Sequence, residues 1–212
     1  MDGVDDLTAV AQDYLKVIWT ATERDEPPIT TTGLAARLGT SAPNVSETLR
    51  RLAGQGLVAY EPYRPVQLTA AGERLALAMV RRHRLIEAFL VEVLGYRWDE
   101  VHDEAERLEH AVSDDLLARI DSRLGHPSHD PHGHQIPAPD GALPGAGGLT
   151  RLSECSPGRY RVVEVSDADP AVLAELAGLG VRPGELVDAE LPADAAVRDA
   201  VWVVPVPHAP RR

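Results

Sequence analysis

Between Thr30 and Thr69 two helical patterns, a glycine-bearing break and a strand–loop–strand pattern follow one another so closely that few folds accommodate them. Thr30 to Gly39 reads as a short helix stopped by glycine. Ser41 then supplies an N-cap, and Pro43 is tolerated in the first turn of a helix running to about Gly54. Within it Val45, Leu49 and Leu52 recur at i, i+4 and i+7 and must pack inward. Gly56–Tyr60, Glu61–Pro65 and Val66–Thr69 give strand, tight loop and strand. This is the shape of a winged helix-turn-helix, in which a support helix props a second helix so that its N-terminal end enters the DNA major groove. Ser41, Pro43, Asn44, Ser46 and Glu47 line that exposed face, while Arg50, Arg51 and Arg64 are placed to neutralise phosphates. From Ile29 to Arg74 five arginines face three glutamates, a net +2 inside a chain of net charge -12. Glu47 runs against this trend, because phosphate repels a carboxylate, although cytosine N4 can donate to it. The bland alternative is a three-helix unit that contacts protein.

The rest of the 212 residues divides by composition. Before the helix-turn-helix a helix places Val10, Tyr14, Val17, Ile18 and Ala21 on one face and ends at Glu23–Pro28; after it, helix resumes at Ala70. From His126 to Gly148 the chain is rich in His, Pro and Gly and reads as a linker. Beyond it Tyr160–Val165, Leu186–Leu191 and Val201–Val206 read as strands, Pro170–Gly178 as a helix and Val181–Gly184 as a turn, together a small barrel. A single cysteine, Cys155, excludes a disulfide framework and a cysteine-built zinc finger, so any metal must take nitrogen and oxygen ligands. The acidic start, Met1 to Asp6, is unlike a signal peptide, and no apolar run reaches the ~18 residues of a membrane span. A soluble cytoplasmic protein is expected. The near-absence of lysine, with only Lys16, reads as codon bias and carries no function.

One helical stretch, Val101 to Val112, carries the chemistry. At ~100° per residue Val101, Ala105, Leu108 and Val112 share an apolar arc, with His102, Glu106, Glu109 and His110 on its flank and Asp103, Glu104 and Arg107 turned to water. His83 and Glu87, spaced i, i+4, form a second pair on a neighbouring helix. Carboxylates and imidazoles beside a buried seam are costly unless something cationic compensates them, and this donor set suits manganese, ferrous iron, cobalt or zinc. A solvated acidic face is the plain alternative. Zinc-peptidase spacings nearly appear, but no His-Glu-x-x-His occurs, and Glu106-x-x-Glu109-His110 is not the inverted form.

Asp13-Tyr14-Leu15, Ser41-Ala42-Pro43-Asn44-Val45-Ser46, Arg82-His83-Arg84-Leu85, Val101-His102-Asp103-Glu104-Ala105 and Glu109-His110 resemble the diphtheria toxin repressor family, the DtxR/MntR metal-dependent regulators, and Leu176–Glu185 resembles a FeoA-like barrel. The resemblance implies a mostly α fold with small β. Its parts are a winged helix-turn-helix over 1–74, a helical dimerisation and metal-binding domain over 75–136, a linker over 137–148 and an SH3-like (FeoA-like) small β-barrel over 149–212. It implies a homodimer that represses metal-homeostasis genes at a near-palindromic double-stranded DNA operator, without membrane or organic cofactor. The primary metal site carries over to Asp13, Glu106, Glu109 and His110, and the second to His83, Glu87 and His102 with a third-domain ligand near Asp169. The iron-responsive branch has methionine and cysteine where this chain has Asp13 and Glu106, which makes the site harder and turns the choice toward Mn(2+), ahead of Fe(2+), Co(2+) or Zn(2+). Lys16 stands where the compact manganese branch has a glutamate, so that branch's paired-metal arrangement does not transfer intact. Another third-domain ligand position falls on Val172, which cannot coordinate, and Asp167 is a local substitute for Asp169. The four linker histidines, His126, His129, His132 and His134, read as poorly held ligands.

Alternatives are an iron-responsive regulator of the same family, a metalloenzyme activating water through Glu106, Glu109 and His110, and a metal-free regulator whose acidic stripe binds a protein. With the Glu47 carboxylate facing phosphate, affinity for DNA is expected to be modest per monomer and sharply salt-dependent. Log affinity measured by fluorescence anisotropy should fall linearly with log salt, and a flat profile would contradict phosphate contacts by Arg50, Arg51 and Arg64.

Overall fold

Thr8 opens the first helix by accepting a hydrogen bond from Ala11 N (3.3 Å), and α1 then runs Ala9–Thr20. The computed structural model describes residues 3–23, 28–62, 64–143, 145 and 147–206; Met1 and Asp2 of the acidic start and most of the expected break at Glu23–Pro28 lie outside that range. Two compact units divide the chain, one of residues 1–83 with 137–142 and the other of 84–136 with 143–212. Among the described residues no helix is long and apolar enough to cross a membrane.

In the first unit α1 buries Ala11, Tyr14, Leu15, Ile18 and Trp19. Val10, expected on that face, is 50% exposed, because the buried stripe is centred one position further round. Helix α2 (Thr31–Arg37) is capped by Thr30, and α3 (Ala42–Gly54) by Ser41 Oγ, which accepts from Asn44 N (3.4 Å). Gly39, at φ +59°, makes the turn between them. Val45, Leu49 and Leu52 are fully buried, as their spacing requires. The wing is the antiparallel pair β1 (Val58–Ala59) and β2 (Gln67–Leu68), with Val58 opposite Leu68. Val66 N donates to Ile29 O (3.0 Å), tying the wing to the entrance of the helix-turn-helix.

Helix α4 (Ala70–Glu92) follows at once, and its first turn packs so tightly that a Cβ at Gly72 would overlap the Leu57 carbonyl. Pro137–Ala142, the start of the expected linker, lies against this helix: Arg81 Nη1 donates to Pro137 O (2.7 Å), and Gly141 approaches Leu77.

The second unit holds the end of α4, α5 (His102–Leu108), α6 (Asp114–Arg123) and a four-stranded antiparallel sheet. Ile86, Leu90, Val101 and Ala105 form one apolar seam, and Leu85, Ile120 and Ile136 another. The helix expected to reach Val112 ends at Leu108, and Glu109 to Ala111 form a turn that stays close to helical at Glu109. The sheet order is β3 (Thr150–Arg151), β6 (Val201–Pro205), β4 (Arg159–Val165), β5 (Leu186–Asp188), with α7 (Pro170–Gly178) and α8 (Ala195–Asp199) beside it. Leu152, Val162, Leu173, Leu176, Val201 and Val203 fill its core, with Trp98 packed against them. The register shifts between Val162 and Glu164, a bulge that buries both Glu164 and Val165.

Substituting Gly72→Ala should cost roughly 1–3 kcal/mol by overpacking the wing against α4. Chemical denaturation of the full chain measures this, and an unchanged midpoint would show that the contact yields freely.

Candidate metal centre and DNA-reading face

Midway along α4 its buried side turns from apolar (Ala76, Met79, Val80) to polar. His83 is 6% exposed and Glu87, one turn later, is 0% exposed. A carboxylate so buried is tolerated only if cations or donors surround it. Two imidazoles meet Glu87 within the second unit. His102 Nδ1 lies 3.3 Å from Oε1, and His132 Nδ1 lies 3.5 Å from Oε2. His102 in turn faces Asp167 Oδ2 at 3.5 Å and, through Nε2, Glu106 Oε1 at 3.6 Å on its own helix.

His132 comes from the segment expected to be a linker, and here the structure corrects that expectation. Residues 126–136 form an ordered loop built on Asp130, whose Oδ1 accepts from His132 N (2.8 Å) and His134 N (3.0 Å). Asp130 N donates to His134 O and Ile136 N to Ser128 O, closing the loop. It docks on the sheet where β4 bulges: Val165 N donates to His132 O (2.9 Å), and a Cβ at Gly133 would overlap the Val163 carbonyl. Proline and glycine do not loosen this segment, because its polar backbone is satisfied by Asp130 and by β4. His132 and His134 are buried, whereas His126 and His129 are exposed, their rings beside Asp121 and Ser128.

Charge is balanced inside this group. Burial opposes protonation of His132, yet the carboxylates of Glu87, Asp130 and Asp167 outweigh it and hold the imidazolium up to about 10. Its Nε2 donates to Trp98 O (2.8 Å). Burial likewise opposes ionisation of Asp167, but His134, His132 and His102 hold its carboxyl down to about 2. His134 reaches Asp130 Oδ2 (3.2 Å) with Nδ1 and Glu164 Oε1 (3.7 Å) with Nε2, and Arg84 Nε lies 3.6 Å from Asp130 Oδ2.

Asp169, the expected third-domain ligand, is elsewhere. It is exposed and caps α7, accepting from Ala171 N (2.9 Å). The carboxylate beside His102 is Asp167, two residues earlier, whereas Asp169 is engaged as the helix cap. Asp130 and Glu164 escaped the sequence reading, and His132 and His134, read there as poorly held, are held firmly. The signal for the loop residues was the alternation Asp130-x-His132-x-His134 around Gly133, which puts donors on one side of a loop; Glu164, on β4, had none.

Of the other expected ligands, Asp13 lies on α1 in the first unit and has a buried Oδ1. Glu106, Glu109 and His110 lie in the second. Glu109 is 0% exposed, and His110 Nε2 is 3.7 Å from its Oε1. These sets contain only hard oxygens and imidazole nitrogens, a donor chemistry that fits a divalent first-row cation. Cys155 is half-buried against the core of the sheet, where its thiol faces Arg151 O.

On the reading face Ser41, Pro43, Asn44, Glu47, Arg50, Arg51 and Arg64 are exposed and Ser46 half-exposed. Ser41 spends its hydroxyl on the helix cap, and Asn44 Nδ2 donates to Thr40 Oγ1 (3.4 Å).

A family model for the N-terminal DNA-binding domain of iron-dependent repressors matches residues 6–66, and one for their metal-binding and dimerisation domain matches residues 69–138. The chain is 34% identical over 199 residues to the iron-dependent repressor IdeR of Mycobacterium tuberculosis, covering 88% of this chain and 86% of that protein. It is 34% identical over 173 residues to the diphtheria toxin repressor of Corynebacterium diphtheriae, covering 76% of this chain and 74% of that protein. A solved structure of a manganese-dependent transcriptional repressor in complex with manganese is similar at 47% identity with a TM-score of 0.83, over 92% of this chain and 100% of that one. With DNA-reading helix, buried carboxylate–imidazole groups and these matches together, the chain belongs to the diphtheria toxin repressor family of metal-dependent, DNA-binding transcriptional repressors.

Proposed function

We propose that this repressor is activated by manganese and acts as a homodimer on a near-palindromic operator. The observation that carries the metal choice is the donor set. Every candidate ligand is a carboxylate or an imidazole, and the positions that bear sulfur in the iron-responsive branch hold Asp13 and Glu106. Hard oxygen ligands favour manganese over softer competitors. Similarity to a manganese-dependent repressor at 47% identity supports the same choice.

Two ligand sets follow. The regulatory set is Asp13, Glu106, Glu109 and His110, carried from the family pattern and supported by the burial of Glu109 and of Asp13 Oδ1. The second set is Glu87 and His102 with Asp167 in place of Asp169, and His83 one turn before Glu87 on α4. Bound metal supplies a positive charge that several carboxylates share. Asp13 belongs to the helix that leads into the reading head, so its engagement restricts that helix and raises the DNA-competent population. A coupling of ~1–3 kcal/mol corresponds to a 5–150-fold change in DNA affinity.

The part division proposed is a reading head over 1–74, a dimerisation and metal-binding part over 75–136, a connection over 137–148 and a small β domain over 149–212. Exposed apolar side chains at Val93, Leu94, Tyr96 and Leu116 support self-association through the middle part. Two-fold symmetry then requires two half-sites in the operator. The relatives are repressors, which favours regulation over catalysis by the same Glu and His residues.

Glu106→Ala should abolish manganese-stimulated DNA binding in an anisotropy titration while leaving the circular dichroism spectrum unchanged; retained stimulation contradicts the regulatory set. Parallel titrations with ferrous iron and zinc test the metal, and stronger activation by iron would transfer the chain to the iron-responsive reading. In calorimetry with manganese, Asp167→Ala should lose one binding event and Asp169→Ala none. The opposite pattern would restore Asp169 as the ligand.

A further inference from the structure

Glu47 is the only acidic residue of α3, and the family's function as a DNA binder makes its position a problem to be solved. It is exposed in the second turn of the helix, one turn after Asn44 and one turn before Arg50 and Arg51. Among the described residues its carboxylate makes no ion pair or hydrogen bond, not even with those two arginines at i+3 and i+4. On its other side it opens on a cleft of ≈ 400 Å³ shared with Asp13, Thr40, Asn44 and Thr48, none of them cationic. Nothing in its own unit therefore requires a negative charge here, and neutralisation must come from what the helix meets.

A carboxylate offers only acceptors, so it repels phosphate and must find a donor on a base edge. The major groove presents two such donors, adenine N6 and cytosine N4. Adenine sets its N7 acceptor beside N6, an arrangement that suits an amide and repels a carboxylate. Cytosine carries no acceptor of its own next to N4 on that edge. We infer that Glu47 is a specificity-determining residue that reads a cytosine in each operator half-site. Arg50 and Arg51, one turn further along, then offset the phosphate repulsion that the same carboxylate incurs. Desolvating Glu47 against any other base leaves a buried charge without a donor, so discrimination acts mainly by rejecting wrong bases.

The test is selection of bound duplexes from a randomised library by the metal-loaded full-length chain, with wild type, Glu47→Gln and Glu47→Ala in parallel. Wild type is expected to prefer cytosine at one position per half-site by roughly 5- to 150-fold over the other bases. Glutamine, which pairs with adenine N6 and N7, should move that preference to adenine, and alanine should erase it, with the remaining positions unchanged. Glu47 is exposed and packs no core, so both variants keep the fold. Identical consensus sequences for all three proteins, or a wild-type consensus without a cytosine lost in the variants, would overturn the assignment of Glu47 while leaving the repressor function standing. Failure of wild type to select any sequence would overturn both.

Discussion

Much of the second unit is organised around a carboxylate that water cannot reach. Glu87 sits at 0% exposure on the long helix, and an ion removed from water carries a penalty of several kcal/mol unless its surroundings replace the lost hydration. His102 on α5 and His132 on the loop after α6 supply that replacement from two directions. The consequence reaches well beyond the pair. To deliver His132, the loop must be ordered; Asp130 orders it by accepting from two backbone amides, and β4 accepts the loop where its own ladder is interrupted. Helix, loop and sheet are thus joined by a chain of charge compensation rather than by apolar contact alone.

The same economy explains why so many acidic groups coexist. Glu87, Asp130, Glu164 and Asp167 face His102, His132, His134 and Arg84 in alternation, so each anion has a cationic or polarisable neighbour at 3.2 to 3.7 Å. The elevated basicity of His132 and the strengthened acidity of Asp167 are two views of one balance. A divalent cation introduced among such donors would exchange protons for metal, which is how affinity for metal and protonation become linked in sites of this kind.

The reading head follows a different logic. Its helix-turn-helix is held by apolar burial at Val45, Leu49 and Leu52 and by local caps, with its charges left on the surface. Separating the two functions in this way lets the face that meets DNA vary at Asn44, Glu47 or Arg50 without disturbing the core. It also leaves Asp13, which lines the cleft beside the second helix, as the acidic group of α1 adjoining the recognition surface.

Local sequence determined the elements whose signals are local. Ser41 with Pro43, the i, i+4, i+7 stripe of Val45, Leu49 and Leu52, and Pro170 with Gly178 set α3 and α7 to the residue, because capping and amphipathic periodicity are satisfied within one or two turns. The family pattern likewise made Glu87 and His102 legible as partners, and the structure pairs them. What the sequence could not reveal was the order in 126–136, which of Asp167 and Asp169 faces His102, and the inward turn of Glu164. Each depends on contacts between residues far apart in the chain: an Asp130 turn seated on a bulged strand, the approach of Asp167 to His102 on α5, and a one-residue shift in strand register. Composition describes such segments as loose, and only the tertiary structure decides whether a distant strand satisfies their backbone.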